Sequence, residues 1–182
     1  MIQYVNGDFM RCIFLDFDGV INNWHQFDGV SIDNAIILKQ IVDLTNAKII
    51  VTSSNKYSIQ QNNGIDYYNT AFYKEYVQPL SEIGIDIYDI TPFCNRDRTL
   101  EIQKYLADNE VKEFVIVDDE LVSESLQDHQ VFCDLYRGLQ PEHIEPIINI
   151  LNGKLGFYPE TYNRQETSSE LILRINKYYK KQ

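Results

Sequence analysis

The sequence predicts an α/β domain, a three-layer α/β/α sandwich around a mainly parallel five-stranded sheet. Short apolar runs at 11–17, 48–51, 84–90, 114–117 and 130–133 alternate with stretches of helical character. Strands that alternate with helices form parallel sheets covered on both faces. Three of these runs also end in polar clusters: Asp16 with Asp18, Thr52 with Ser53, and Asp118 with Asp119. In open α/β sheets ligands bind beyond the carboxyl ends of the strands, so the clusters fall where a site is expected.

The chain has 182 residues, enough to bury one substantial core. Hydrophobic residues at 44% against charged residues at 24% exclude a disordered chain. Sixteen basic residues against 27 acidic ones leave a net charge of −11, which opposes loose binding to nucleic acid or anionic membranes. Cys12, Cys94 and Cys133 are odd in number and lack metal-ligand spacing, which fits reduced, mostly buried thiols. No apolar run approaches membrane-spanning length, and no basic stretch leads into an apolar core at the start. A cytoplasmic protein with no membrane partner is the expectation; nothing supports a particular oligomer.

Along the chain, the first strand is expected at 11–17 and a short flap at about 20–32, rich in polar and aromatic residues around an Asp-Gly pair. Asp33 is expected to cap a helix with Ile37, Leu38, Ile41, Val42 and Leu44 on its apolar face. The second strand is 48–51. The middle, 56–98, is the least readable part: a loop at 60–64, an aromatic helical stretch at 67–80, and a third strand at 84–90 stopped by Thr91-Pro92. A helix at 99–108, a strand at 114–117, a short helix at 121–126 and a brief strand at 130–133 follow. Ile144, Ile147, Ile148 and Leu151 recur at helical spacing, and Gly153 is placed to stop that helix. Residues 1–153 thus form one domain, and 154–182 an extension of a loop and an amphipathic helix with a basic end, packed on it.

The stretch Ile13-Phe14-Leu15-Asp16-Phe17-Asp18-Gly19-Val20-Ile21-Asn22 carries most of the chemistry. Asp16 and Asp18 lie two residues apart, so strand alternation points them to one side. Converging carboxylates repel unless a hard divalent cation neutralises them. A carboxylate free of that cation can attack an electrophile while its neighbour handles the proton. An acidic strand end is also ordinary turn chemistry, so the pair by itself decides little.

Together the motifs resemble the haloacid dehalogenase (HAD) superfamily of aspartate-nucleophile phosphohydrolases. The first motif is similar to Phe14-Leu15-Asp16-Phe17-Asp18-Gly19-Val20-Ile21-Asn22, the second to Ile49-Ile50-Val51-Thr52-Ser53-Ser54, the basic third to Arg98, and the fourth to Phe114-Val115-Ile116-Val117-Asp118-Asp119. A narrower resemblance joins Thr91-Pro92, Arg98 to Ile102, Tyr105-Leu106, Asp134 and Gly138-Leu139-Gln140 to the small HAD domains of Swiss Army Knife RNA repair proteins. Asn55-Lys56 departs from the Trp-Arg that often follows the serines in those relatives. The resemblance implies a Rossmann-like, HAD-like fold, and neither inter-motif stretch leaves room for a large cap domain.

It also implies roles. Asp16 is the nucleophile and Asp18 the general acid and base; Thr52 or Ser53 supplies a hydroxyl to the phosphoryl group. Arg98, with Arg96 and Lys104 as rivals, stabilises phosphoryl charge. Mg2+ is the implied cofactor, held by Asp16, the Asp18 backbone carbonyl and Asp118, with Asp119 as an alternative ligand or an acid that orients metal-bound water. His25, on the flap with Trp24 and Phe27, is a stacking candidate; His129, His143 and the tyrosines of 67–76 read as structural. The basic segment 174–181 reads as a solvated helix face. The expected function is phosphate-monoester hydrolysis, on a small phosphorylated molecule or a nucleic-acid end. A catalytically silent binding domain and a phosphotransferase to a non-water acceptor are the competing classes.

Overall fold

The computed structural model describes residues 10–23, 25–26, 29–61 and 66–156. Five strands form one sheet: β1 Met10–Leu15, β2 Lys48–Val51, β3 Ile87–Ile90, β4 Val111–Asp118 and β5 Gln130–Phe132. Their order is β3-β2-β1-β4-β5 and every neighbouring pair is parallel. The helices are α1 Ile32–Thr45, α2 Ser58–Gln61, α3 Gln78–Glu82, α4 Arg98–Asp108 and α5 Ile144–Leu151. The chain runs outward from β1 to β3, then returns to β1's other side, so the order reverses beside β1. This Rossmann-like α/β arrangement is the expected fold class, and its switch point is where a crevice opens.

Alternation along the strands divides the core in two. Ile13, Leu15, Ile49, Val51, Val115 and Val117 face a cluster with Leu38 and Ile41 of α1, Leu80 of α3, and Ile147 and Leu151 of α5. Cys12, Phe14, Ile50 and Ile116 face the opposite layer, with Ile102 and Tyr105 of α4. Backbone hydrogen bonds continue past the strand ends: Asp16 donates to Val117, Thr52 to Leu15, Thr91 to Val51 and Cys133 to Asp118, at 2.9–3.0 Å. The residues just beyond the strands therefore keep sheet-like positions, which is what a rigid site needs. Between β1 and α1 the described residues carry one antiparallel bridge, Asn23 with Gln26, and no inserted domain.

Several boundaries differ from expectation, each for a local reason. β1 stops at Leu15 because Phe17 turns into the core, where its carbonyl accepts from Val20 and Ile21. Asp33 does not cap α1. Ser31 holds that position without a side-chain cap bond, and Asp33 lies in the first turn, where its charge suits the helix dipole. β3 begins at Ile87 because Gly84, at φ +79°, ends α3 instead. Gly84 N–H donates to Ser81 and Ile85 N–H to Leu80, the paired bonds of a left-handed helix stop.

The aromatic stretch is broken: a 3-10 turn at Tyr67–Asn69 precedes a π-helical segment, Tyr73–Val77, that runs into α3. No helix forms at 121–126, because glutamine side chains satisfy that backbone instead. Gln130 Nε2 donates to Glu120 O at 2.7 Å, and Gln127 Nε2 to Val122 O at 3.0 Å. β4 is longer than expected, and α4 starts at Arg98, with Asp97 capping Leu100 N–H at 3.0 Å. The C-terminal helix expected within 154–182 lies outside the described residues, as do Trp24 and Phe27. Among the described residues no helix is long and apolar enough to cross a membrane.

Candidate active site

The ends of β1, β2 and β4 and the first turn of α4 converge on four charged groups. Asp16 follows β1 and is 4% exposed, whereas Asp118 closes β4 and is fully buried. Carboxylate oxygens of Asp16, Asp118 and Asp119 all lie within 4.8 Å of one another. Of the described residues, Arg98 is the one cation placed among them. Its Nη1 donates to both oxygens of Asp118, at 2.6 and 2.5 Å, and its Nη2 to Asp16 Oδ1 at 3.3 Å. The rivals are elsewhere: Arg96 is exposed with its guanidinium over the Tyr57 ring, and Lys104 is exposed.

One guanidinium does not offset two buried carboxylates and a third that is half-buried. Burial pushes the Asp16 carboxyl up, and the lowering by Arg98 falls short of cancelling it. Burial raises Asp118 as well, aided by Asp16, and raises Asp119, aided by Asp118 and Asp16. For Arg98 burial works against its charge, yet Asp118 and Asp16 push its pKa up on balance. The cluster is thus short of positive charge and made of hard oxygen donors, a set that fits Mg2+. Gly19 lets it close. At φ +70°, a Cβ there would meet the Asp119 side chain at 2.7 Å.

The two hydroxyls after β2 differ. Ser53 Oγ accepts from Asn55 N–H at 3.3 Å, and the Ser53 side chain helps to lower the Asp16 carboxyl. Thr52 Oγ1 is buried with no hydrogen-bond partner, alone in that among the described residues. A buried hydroxyl left unpaired costs free energy unless a ligand takes it.

Asp18 stands apart from the three-carboxylate cluster. Asn22 Nδ2 donates to its Oδ1 at 2.8 Å, Tyr76 Oη to Oδ1 at 3.4 Å, and Asn55 Nδ2 to Oδ2 at 3.0 Å. Burial, then the charge of Asp18, raise the Tyr76 phenol, so it stays a donor. Its ring stacks on Phe17, 4.6 Å between centroids.

Sequence reasoning missed Tyr76, Asn55 and the buried pair of Lys56 with Glu101. Lys56 Nζ lies 2.7 Å from Glu101 Oε2, both side chains at most 1% exposed. Glu101 had a signal: with Arg98, Ile102 and Tyr105 it stands at i, i+3, i+4 and i+7 of α4, an acid on the inner face. Tyr76 had none, lying in a stretch without clear periodicity. Of the other candidates, His25 is exposed on the flap, His129 stacks on Phe114 at 3.9 Å, and the His143 ring accepts Gln140 N–H at 2.9 Å.

No curated protein and no solved structure matches the chain. A family model does: "HAD domain in Swiss Army Knife RNA repair proteins" matches residues 12–144. That span runs from β1 through β5 to the first residue of α5 and takes in every residue of the convergent site. The chain therefore belongs to the family of HAD domains found in Swiss Army Knife RNA repair proteins.

Proposed function

We propose that the chain is a Mg2+-dependent phosphohydrolase that cleaves a phosphate monoester through an aspartyl-phosphate on Asp16. The observation that carries this is the convergence of a three-carboxylate cluster, Arg98 and the unpaired Thr52 hydroxyl at adjoining strand ends. Membership in an HAD family supports phosphatase-type hydrolysis.

Asp16, Asp118 and Asp119 would hold the cation, with the Asp18 carbonyl as the further ligand that the resemblance implies. When bound, it neutralises the cluster and draws charge from phosphoryl oxygens. An Asp16 oxygen attacks phosphorus while the bond to the leaving oxygen breaks, and Asp18 gives that oxygen its proton. Water then attacks the same phosphorus, returns a proton to Asp18, and the bond from phosphorus to Asp16 breaks. Arg98 steadies Asp16 from 3.3 Å and faces the developing negative charge. Thr52 donates to a phosphoryl oxygen.

The family's description concerns RNA repair proteins, and the described residues hold no inserted cap domain. Both support a terminal phosphate on a nucleic acid, or a nucleotide, as the substrate. The net charge of −11 argues against tracking an extended phosphate backbone, which leaves recognition to the end group.

Turnover of p-nitrophenyl phosphate with and without Mg2+, in the parent and in Asp16→Asn, tests the chemistry. Metal-dependent release that falls by at least about 10³-fold in the variant is expected for a lost nucleophile. Undiminished turnover in Asp16→Asn overturns the mechanism. End-phosphorylated oligonucleotides compared with nucleotides then test the substrate class.

A further inference from the structure

Asp18 is held by side chains from three separate parts of the chain. Asn22 comes from the turn after β1, Asn55 from the 3-10 turn after β2, and Tyr76 from the π-helical segment. Two donors, Asn22 and Tyr76, share Oδ1 at 2.8 and 3.4 Å, whereas Oδ2 has Asn55 alone at 3.0 Å. Asn55 Nδ2 also lies 3.0 Å from the Tyr76 hydroxyl oxygen, which ties two of the holders together. A carboxylate oxygen has two lone-pair directions. Both on Oδ1 are engaged, and among the described residues Asn55 alone donates to Oδ2.

We infer that Asn55 and Tyr76, together with Asn22, are positioning residues that fix the Asp18 carboxyl and assign its transferable proton to Oδ2. This rests on the phosphatase reading and adds to it which atom delivers the proton and which side chains aim it. The π-helical segment is the means by which Tyr76 arrives. One widened turn sets its ring on Phe17, the residue between the two aspartates, with the hydroxyl on Asp18. Tyr76 is 5% exposed, whereas Asp18 is half-buried.

Proton donation matters in proportion to how poor the leaving group is. An alkyl phosphate expels a strongly basic alkoxide and needs the proton; p-nitrophenolate leaves nearly unaided. The ratio kcat/KM reports only the steps through expulsion of the alcohol, so the later hydrolysis common to both esters does not enter it. Loss of aim at Asp18 therefore separates the two esters, whereas a general loosening of the site lowers both alike.

Measure kcat/KM for an alkyl phosphate and for p-nitrophenyl phosphate in the parent, Tyr76→Phe and Asn55→Ala, with a melting curve for each. Tyr76→Phe keeps the ring packed on Phe17, so it reads the hydroxyl alone even where Asn55→Ala folds poorly. The expected result is a loss of about tenfold or more on the alkyl ester against about threefold or less on the nitrophenyl ester. Equal losses on both, or no loss on either, overturn the positioning role. A parent that hydrolyses neither ester overturns the phosphatase reading itself, and the positioning role with it.

Discussion

The hydroxyl of Thr52 is buried without a partner in a site where its neighbour Ser53 is engaged. That contrast separates a structural from a functional hydroxyl. A structural one stabilises the fold through a bond it makes, but this one makes none and bears its desolvation cost unrelieved. Thr52→Val keeps shape and volume, so stability is expected to hold or rise by up to about 1 kcal/mol. Activity is expected to fall about 10²-fold or more if the hydroxyl meets the phosphoryl group. Thermal melts beside kcat check both halves; a variant that loses stability and keeps its rate sinks the assignment. Lys56 tests the opposite situation. Its ammonium is fully buried against Glu101 and the carbonyls of Thr91 and Pro92, at 2.7, 3.0 and 3.2 Å, and also touches the Thr91 hydroxyl. Lys56→Met leaves the Glu101 carboxylate without its cation, and urea unfolding is expected to show a loss of about 3–5 kcal/mol.

Glu101 also shapes the element that carries Arg98. It accepts from Tyr57 Oη at 2.6 Å and from Cys94 N–H at 3.2 Å, while Arg96 N–H donates to Tyr57 Oη at 2.7 Å. These bonds hold a loop in which Asn95 and Arg96 both take positive φ, +54° and +64°. Such geometry persists only where surroundings over-determine it. The loop delivers Asp97 to the cap of α4, so Arg98 enters the site as that helix's first residue. Asp97→Ala is expected to cost about 1 kcal/mol in a urea titration, and to lower kcat as well because Arg98 then loses its fixed entry. A variant with reduced stability and an unchanged rate would place Arg98 under some other control. Elements of this kind were the least legible in the sequence. β1, β2 and β4 were plain because apolar runs ended in acids or hydroxyls, and α5 because four apolar residues kept helical spacing. The 56–98 stretch was not, because its short helical turns persist through tertiary bonds such as Lys56 to Glu101 rather than through their own periodicity. The same cause hid Tyr76, whose importance lies in what a π-helical turn places it against. Gly84 reads in the sequence as the start of a strand yet stops a helix, because a glycine before an apolar run fits either role.

At the scale of the whole molecule, the −11 charge and the buried carboxylates act on stability in different ways, and pH with Mg2+ separates them. Burial and mutual repulsion push Asp118 up to about 7 and Asp119 up to about 8, both from an ordinary 3.8. The folded cation-free protein thus holds protons that the unfolded chain releases near pH 4. The stability those protons bring is complete below about pH 4 and is lost as pH rises through about 8. A cation bound by the cluster replaces the protons, so it competes with them at low pH and meets bare carboxylates at high pH. The rise in Tm on adding Mg2+ is therefore expected to be small near pH 5 and large near pH 8. At 100 times its dissociation constant the ion is worth about 2.7 kcal/mol. General screening of eleven excess negative charges is a different effect, since any salt supplies it and burial does not direct it. Melting at both pH values in Mg2+ and in KCl of equal ionic strength distinguishes them. A Mg2+ increment beyond KCl that grows with pH, and shrinks in Asp118→Asn, assigns the stabilisation to the cluster; equal increments from both salts assign it to screening and remove the cation from Asp16, Asp118 and Asp119.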